Sequence, residues 1–412
     1  MKSGAGYVVL LESTDAGGHE LGLAVTQMGL RPLFLLDTEL YRADLAMCLQ
    51  SFEYLPADTR DVAGMVSLLA ADGRRVVGVG TLVDSRIPFA VKLAAALGVP
   101  GPDPACGPLS DKRQVAQWCP EVSPRSAAAA PGPQPVADTL AEWQREFGSA
   151  AVMVKPRVGC AGVGVRLLTE DQQKQQFVAD TPDLQNWLVQ EHFPGSLFSM
   201  EGWVDSAGVH YVGWTSRRKI GNTETEFRFE GFDTLPVALT KQAQEAVAHL
   251  IEQASMRRGW FHIEFLVDEA RRALRLIDAN VGRTGGAMLP HAMAMALGVT
   301  TSDLYQHALE MQLWGKSSVS LPDTPPLTRI HKCVCFGSPR AATLREVRLP
   351  GTPLQHGPLR VVRILGAGDE VSEIGQDDWS WIGFVAGPED EVDRYTAQIE
   401  IHTTDAVLPA AN

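Results

Sequence analysis

Apolar residues recur along this chain in short unbroken runs and, between them, in stretches where they return every three or four positions, which is the pattern of strands interleaved with helices. Residues 7–11 read as a strand, 18–28 as a helix with Leu21, Ala24, Val25 and Met28 on one side, and 33–36 as a second strand ending at Asp37. That is a βαβ unit. Segments 75–79 and 89–97 continue the alternation, so residues 1–105 are expected to form a parallel α/β layer. A short helix over 111–118 follows, with Ser110 and Asp111 as capping candidates and Lys112 in its first turn. The Pro/Ala-rich stretch 123–135 reads as a linker or surface loop. Strands are expected at 151–155, 165–168, 186–193, 198–204 and 209–214, and an amphipathic helix at 242–255. Helices at 287–297 and 301–313, strands at 330–336, 359–364 and 381–385, and a helix near 389–399 complete the pattern, without internal repeats.

The stretch from Gly259 to Gly286 carries the densest chemistry. It reads as strands 261–267 and 274–280 joined by a polar turn near Arg271, which sets Glu264 opposite Asp278 and His262 opposite Asn280. All four then share one face, while Phe261, Ile263, Phe265, Ile277 and Ala279 hold the other on a core. Two carboxylates and an amide oxygen on one sheet face repel unless a cation lies between them, and hard oxygen donors suit Mg²⁺. The bland alternative is a hairpin with a polar solvent face.

Two other features bear charge. A glycine-rich loop, Gly159 to Gly164, lies between strands with Lys155 at its base, so its backbone N–H groups can approach an anion; it is neither a Walker A loop nor a Rossmann turn. The bland alternative is an ordinary glycine hairpin. The triplet Arg217, Arg218 and Lys219 is either a solvated cluster or a site that neutralises phosphate or carboxylate. The turn from Asp15 to His19 together with Asp37 invites a dinucleotide reading, yet the GxGxxG spacing is missing.

Composition narrows the partners. A formal net charge of −13 over 412 residues argues against a nucleic-acid backbone and for small molecules. Absence of a long apolar run or a leader pattern leads to the expectation of a cytoplasmic protein without a membrane partner. Cys48, Cys106, Cys119, Cys160, Cys333 and Cys335 are scattered like reduced core thiols, and Cys333-x-Cys335 beside His331 lacks the second pair that a zinc site needs.

Lys112, Lys155 with its glycine loop, Gln190-Glu191, Glu264 and Asp278-x-Asn280 occur in an order and spacing that resembles the ATP-grasp superfamily of carboxylate–amine ligases, over roughly residues 5–315. Within it the chain looks most like the L-amino-acid ligase and dapdiamide-synthase type, by the runs GSLFSMEG (195–202), FEGFDTLP (229–236) and GG-x-x-LP (285–290). The resemblance implies an α/β fold, α+β in parts: a pre-ATP-grasp domain over 1–105, ATP-grasp subdomains over 106–187 and 188–320, and a β-rich region over 321–412. It implies ATP and Mg²⁺, two ions, with an amide made through an acyl phosphate from a small-molecule carboxylate and amine, and leaves a homodimer open. Lys112 and Lys155 match the lysines on the ATP phosphates, Gly159, Gly162 and Gly164 the phosphate-covering hairpin, and Gln190 and Glu191 the strand that receives adenine. Glu264, Asp278 and Asn280 match the metal ligands, and Arg283 the arginine that steadies the transferred phosphoryl group, although it stands one residue further on than is usual. Leu197 replaces the usual ribose-contacting acid, with Glu201 as a substitute, and substrate-selecting side chains are expected among Glu201, Arg217, Arg218, Lys219, Glu230 and His291. Alternatives are a biotin-carboxylase-like or phosphoribosyl-amine-ligase-like enzyme, an NAD-dependent dehydrogenase, and a nucleotide-binding module without turnover.

Overall fold

Strands Tyr7–Leu11, Arg31–Leu36, Glu53–Pro56 and Val76–Gly80 form a parallel sheet in the order third, second, first, fourth. The first is buried at every residue, as a central parallel strand covered on both faces must be. Val8 and Leu10 pack towards helices Gly18–Gln27 and Thr301–Trp314, and Val9 and Leu11 towards Val62–Asp72 and Ile87–Leu97. Strand Glu53–Pro56, whose residues are no more than half-buried, and the helix Val62–Asp72 after it add to the elements expected from the sequence. The protein is known from a computed structural model that describes residues 6–13, 16–37, 49–127, 136–148, 150–160, 162–322, 329–351, 359–375 and 380–412. Asp15, Cys48, and positions 128–135 of the expected linker lie outside the described residues.

A second, eight-stranded antiparallel sheet is the centre of the molecule. Its order is Ala273–Val281, Gly259–Asp268, Ser196–Asp205, Gly208–Ile220, Thr223–Glu230, His331–Gly337, Trp381–Pro388 and Arg360–Arg363. Helix Val237–Ala254 covers one face through Leu239, Ala243, Val247, Leu250 and Ile251 against Phe261, Ile263 and Phe265. Three strands from beyond residue 330 therefore extend the same sheet. The remaining C-terminal strands make a small sheet, Glu370–Val371, Ala342–Arg348, Glu400–Thr403 and Val407–Pro409 in that order.

The third unit is a three-stranded antiparallel sheet, Arg166–Leu168, Val152–Pro156 and Trp187–Glu191, packed under helices Val136–Phe147 and Asp171–Asp180. It carries the glycine loop. Residues 125–127 run beside Trp187–Glu191, with the Glu191 N–H donating to Arg125 O (2.9 Å) and the Ala127 N–H to Val189 O (3.0 Å).

Strands Gly259–Asp268 and Ala273–Val281 pair with His262 opposite Asn280 and Glu264 opposite Asp278, as the alternation predicts. A bulge then shifts the register between Glu264 and Phe265, so that Phe265 faces Leu276. The expected placement of Ile277 on the core is corrected by this: Leu276 is buried there and Ile277 is only half-buried. A bulged residue leaves its backbone groups outside the ladder. Here the Ile277 carbonyl accepts from Lys155 Nζ at 2.7 Å, and the Leu276 N–H donates to Val122 O at 2.8 Å.

Candidate functional site

Four neighbouring strands of the central sheet build one polar face. Ser199 and Glu201, Thr215, Arg217 and Lys219, His262 and Glu264, and Asp278 and Asn280 follow from their spacing of two along each strand and the register between strands. The glycine loop and the helix Lys112–Trp118 close over its outer edge. Asp111 caps that helix, accepting from the Arg113 N–H at 3.0 Å, while Ser110 instead donates to Gly107 O. Asp111 also pairs with Arg157, and the Lys112 N–H donates to Arg157 O at 2.9 Å, so the helix start is tied to the base of the loop.

Lys112 Nζ lies 2.9 Å from Asp278 Oδ2 and donates to Gly159 O at 2.8 Å, bridging the sheet face and the loop. Burial works against its charge, yet the paired Asp278 carboxylate and the nearby Asp84 and Glu264 together outweigh burial and hold the ammonium above the usual lysine value. Lys155 is fully buried and binds only a carbonyl, so burial wins and lowers it to about 8. Gly162 and Gly164 have φ of +68° and +77°, a region that residues with a Cβ enter with strain, and the Asn222 amide donates to Val165 O across from the loop. These contacts hold the loop down on the face.

Glu264 Oε1 receives two donors, Arg217 and the Asn280 amide at 3.0 Å each, and lies 3.6 Å from His262 Nε2, which itself accepts from Arg217. Burial would raise this carboxyl, but Arg217 and His262 keep it well below the usual range. Asp278 is raised, because burial and the Glu264 charge together exceed what Lys112 supplies. A carboxyl pushed above its usual value while it faces another carboxylate marks a deficit of positive charge. Among the described residues no three His, Cys, Asp or Glu side chains converge as a metal set, so the third oxygen of this face is the Asn280 amide. Two hard carboxylates and that amide fit Mg²⁺, and the charge deficit at Asp278 is where it would be felt.

His262 is buried between two acids, its Nδ1 2.6 Å from Glu201 Oε1 and its Nε2 towards Glu264. Glu201 is itself wholly buried, accepts from Ser199 and Thr215 at Oε1, and has no hydrogen-bond partner for Oε2 among the described residues. It supports His262 from behind. The basic triplet is divided by strand alternation: Arg217 and Lys219 point to the site, where both reach Glu224, and Arg218 points away towards Asn412 O. Sequence reasoning missed Glu224, whose alternating acidic surroundings gave no signal.

The other candidates make their contacts elsewhere. Gln190 turns its amide inward to Ser126 and Pro124, and Glu191 pairs with Arg125 at 2.8 Å. Glu230 accepts from Ser216, and His291 Nε2 lies 3.8 Å from Glu20 Oε1. Leu197 is buried opposite Arg217 in the register. Arg283 is reached through Gly282, at φ +81°, whose N–H donates to Trp260 O; its guanidinium lies 3.2 Å from Asp84, beyond the end of strand Val76–Gly80. That pairing across the chain had no local signal in the sequence. Cys333 and Cys335 are buried neighbours on one strand, 4.0 Å apart at sulfur, while His331 turns to Arg329 O, so the three do not converge.

The comparisons fit this architecture. A family profile described as an ATP-grasp domain matches residues 110–285. Among solved structures, the L-amino acid ligase from Bacillus licheniformis superposes with a TM-score of 0.74 at 14% identity, covering 97% of this chain and 99% of that one. The biotin carboxylase domain of the Hydrogenobacter thermophilus 2-oxoglutarate carboxylase, in complex with MgADP, gives 0.72 at 14% identity, covering 96% and 90%. Phosphoribosylglycinamide synthetase from Anaerococcus prevotii gives 0.70 at 12% identity, covering 97% and 100%. No curated protein sequence matches the chain.

Proposed function

We propose that this protein, whose residues 110–285 match an ATP-grasp domain profile and whose chain shares the ATP-grasp fold along its length, is an ATP-dependent ligase joining a small carboxylate to an amine through an acyl phosphate. The observation that carries the reading is the convergence of Lys112, Lys155, the glycine loop, Glu264, Asp278 and Asn280 on one sheet face. The fold is shared with enzymes acting on other carboxylates, so the amino-acid-ligase type rests on the runs at 195–202, 229–236 and 285–290. It remains the preferred type, with amino acids as substrates.

Amide formation from a free carboxylate in water is uphill, so the acid first needs a leaving group. A carboxylate oxygen attacks the γ-phosphorus of ATP, the bond to the β–γ bridging oxygen breaks, and ADP departs. An amine then attacks the acyl carbon, the amine proton is lost, and phosphate leaves with the electron pair. Lys112 and Lys155 supply fixed positive charge for the phosphoryl oxygens, and the glycine loop keeps water from the acyl phosphate. Mg²⁺, two ions in the family resembled, would be held by Glu264, Asp278 and Asn280 and would neutralise phosphate charge there. Arg283, oriented by Asp84, is the further cation for the transferred group. Gln190 and Glu191 remain the proposed adenine strand.

The dinucleotide alternative loses ground at the first βα turn. The Tyr305 hydroxyl occupies the space where a Cβ of Gly17 would lie, so the close backbone approach that a pyrophosphate needs is already taken.

Hydroxylamine tests the chemistry. With ATP, Mg²⁺ and the correct acid, chosen from an amino-acid panel by phosphate release, it should yield a hydroxamate without the natural amine, together with ADP. AMP and pyrophosphate instead would replace phosphoryl transfer by adenylation, and no nucleotide turnover with any acid would leave only a binding module.

A further inference from the structure

The metal-face reading of Glu264, Asp278 and Asn280 is the premise on which this inference rests. Arg217 stands on strand Gly208–Ile220, and the whole of strand Ser196–Asp205 separates it from the strand of Glu264. Its side chain crosses that strand on the polar face and is almost fully buried, with only 3% of its surface exposed. The guanidinium lies between two acids, 3.0 Å from Glu264 Oε1 and 2.7 Å from Glu224 Oε1, in contact with His262, and 5.7 Å from the Phe227 ring centre. This is not the posture of a side chain reaching for a substrate.

We propose that Arg217 is the protein's own counter-ion for Glu264, and that by sharing the carboxylate with an incoming metal it holds down the metal affinity of the nucleotide-free site. Buried carboxylates need compensating charge even with no metal bound, and Arg217 supplies it at Glu264 as Lys112 does at Asp278. Both donors to Glu264, Arg217 and the Asn280 amide, go to Oε1, as does the approach of His262, and Oε2 takes none of these contacts. A metal on Oε2 thus meets a carboxylate whose charge is already partly answered 3.0 Å away. Glu224 sets the strength of the competition, because it draws the same guanidinium and also has Lys219 at 3.2 Å as a second cation. The arrangement compensates the acidic face from within the protein and leaves the phosphates of ATP to supply what the protein's own acids do not. Arg217 is in this sense a positioning residue, acting through Glu264.

The test is a Mn²⁺ titration without nucleotide, following the free aquo-ion by electron paramagnetic resonance, with circular dichroism to confirm folding. Arg217→Met should bind Mn²⁺ about tenfold tighter than the wild type, since a unit charge within a few ångströms of the ligand is removed. Glu224→Gln should bind it more weakly, because Arg217 then answers Glu264 alone. Glu264→Gln should weaken binding in either background. Equal affinity in Arg217→Met and the wild type, with Glu264→Gln still weakening both, overturns the counter-ion and leaves the metal face standing. Binding unaffected by Glu264→Gln removes the metal face and this inference with it. Where Arg217→Met does not fold, unchanged or tighter Mn²⁺ binding by Glu224→Gln overturns the proposal on its own.

Discussion

Lys155 and Lys112 lie in the same site and are shifted in opposite directions: Lys112 is paired with Asp278 at 2.9 Å, whereas Lys155 donates to a carbonyl, so burial, with the like charge of Lys112, prevails over its attraction to Asp278 and Glu264. Burial lowers Lys155 to about 8, so between that value and the ordinary lysine value the unfolded chain holds a proton that the folded one does not. Keeping Lys155 charged therefore costs stability below pH about 8, and the cost fades as pH rises through the folded value. A phosphate brought against it favours the charged form. Nucleotide binding near pH 8.5 should then take up a fraction of a proton, and affinity should fall by up to about tenfold per pH unit above that. Calorimetric titrations in two buffers of different ionisation enthalpy measure the uptake, and Lys155→Met should abolish it. Equal uptake in wild type and mutant would remove Lys155 from the phosphate site.

The glycine loop is an element whose backbone conformation does the work. At Gly164, φ +77°, an added Cβ would lie 3.0 Å from Pro156 Cγ and 3.3 Å from Trp187 Cη2, so valine there is strained as well as crowded. Gly164→Val should cost about 1–2 kcal/mol in the closed loop, a roughly tenfold loss of nucleotide affinity, with the global unfolding midpoint nearly unchanged. Fluorescence titration with a nucleotide analogue gives the affinity; an unchanged value would make the loop an ordinary hairpin. The hairpin that carries Glu264 and Asp278 shows how far an element is legible. Alternation places His262, Glu264, Asp278 and Asn280 on one face correctly, but nothing local announces the bulge after Glu264. The partners of the groups it frees lie in other elements, the Lys155 ammonium at Ile277 O and the Val122 carbonyl at the Leu276 N–H.

Across the whole molecule, Gln312 joins the N-terminal unit to the site. It is completely buried on helix Thr301–Trp314; its amide donates to Thr81 O at 2.9 Å and Gly282 O at 2.7 Å and accepts from the Thr81 N–H at 3.1 Å. One side chain thus pins the end of strand Val76–Gly80 and the residue before Arg283, on either side of the Asp84–Arg283 pair. Gln312→Leu strands three buried backbone groups and should lower local stability by about 3 kcal/mol. Hydrogen exchange should report this as faster opening at Thr81 and Gly282, with turnover reduced through a loosened Arg283. Unaltered exchange at both positions would show that the two units are held together by other contacts. Neither Gln312 nor Asp84 stood out in the sequence, since a glutamine in an apolar helix and an acid after a strand are both common.

The amino-acid sequence by itself determined the parallel N-terminal layer, the hairpin that sets Glu264 against Asp278, the glycine loop with Lys155, and a helix start with Ser110 and Asp111 as its two capping candidates, because each depends on periodicity, turn chemistry or spacing within one or two neighbouring elements. Tertiary structure alone decided the rest. Which side of the triplet Arg217 to Lys219 meets the acids depends on the order of strands far apart in sequence, and so does the seating of Arg217 between Glu224 and Glu264. The C-terminal strands joined the central sheet by the same rule: an open edge at Thr223–Glu230 carries unpaired backbone groups, and only a distant segment, His331–Gly337, could satisfy them.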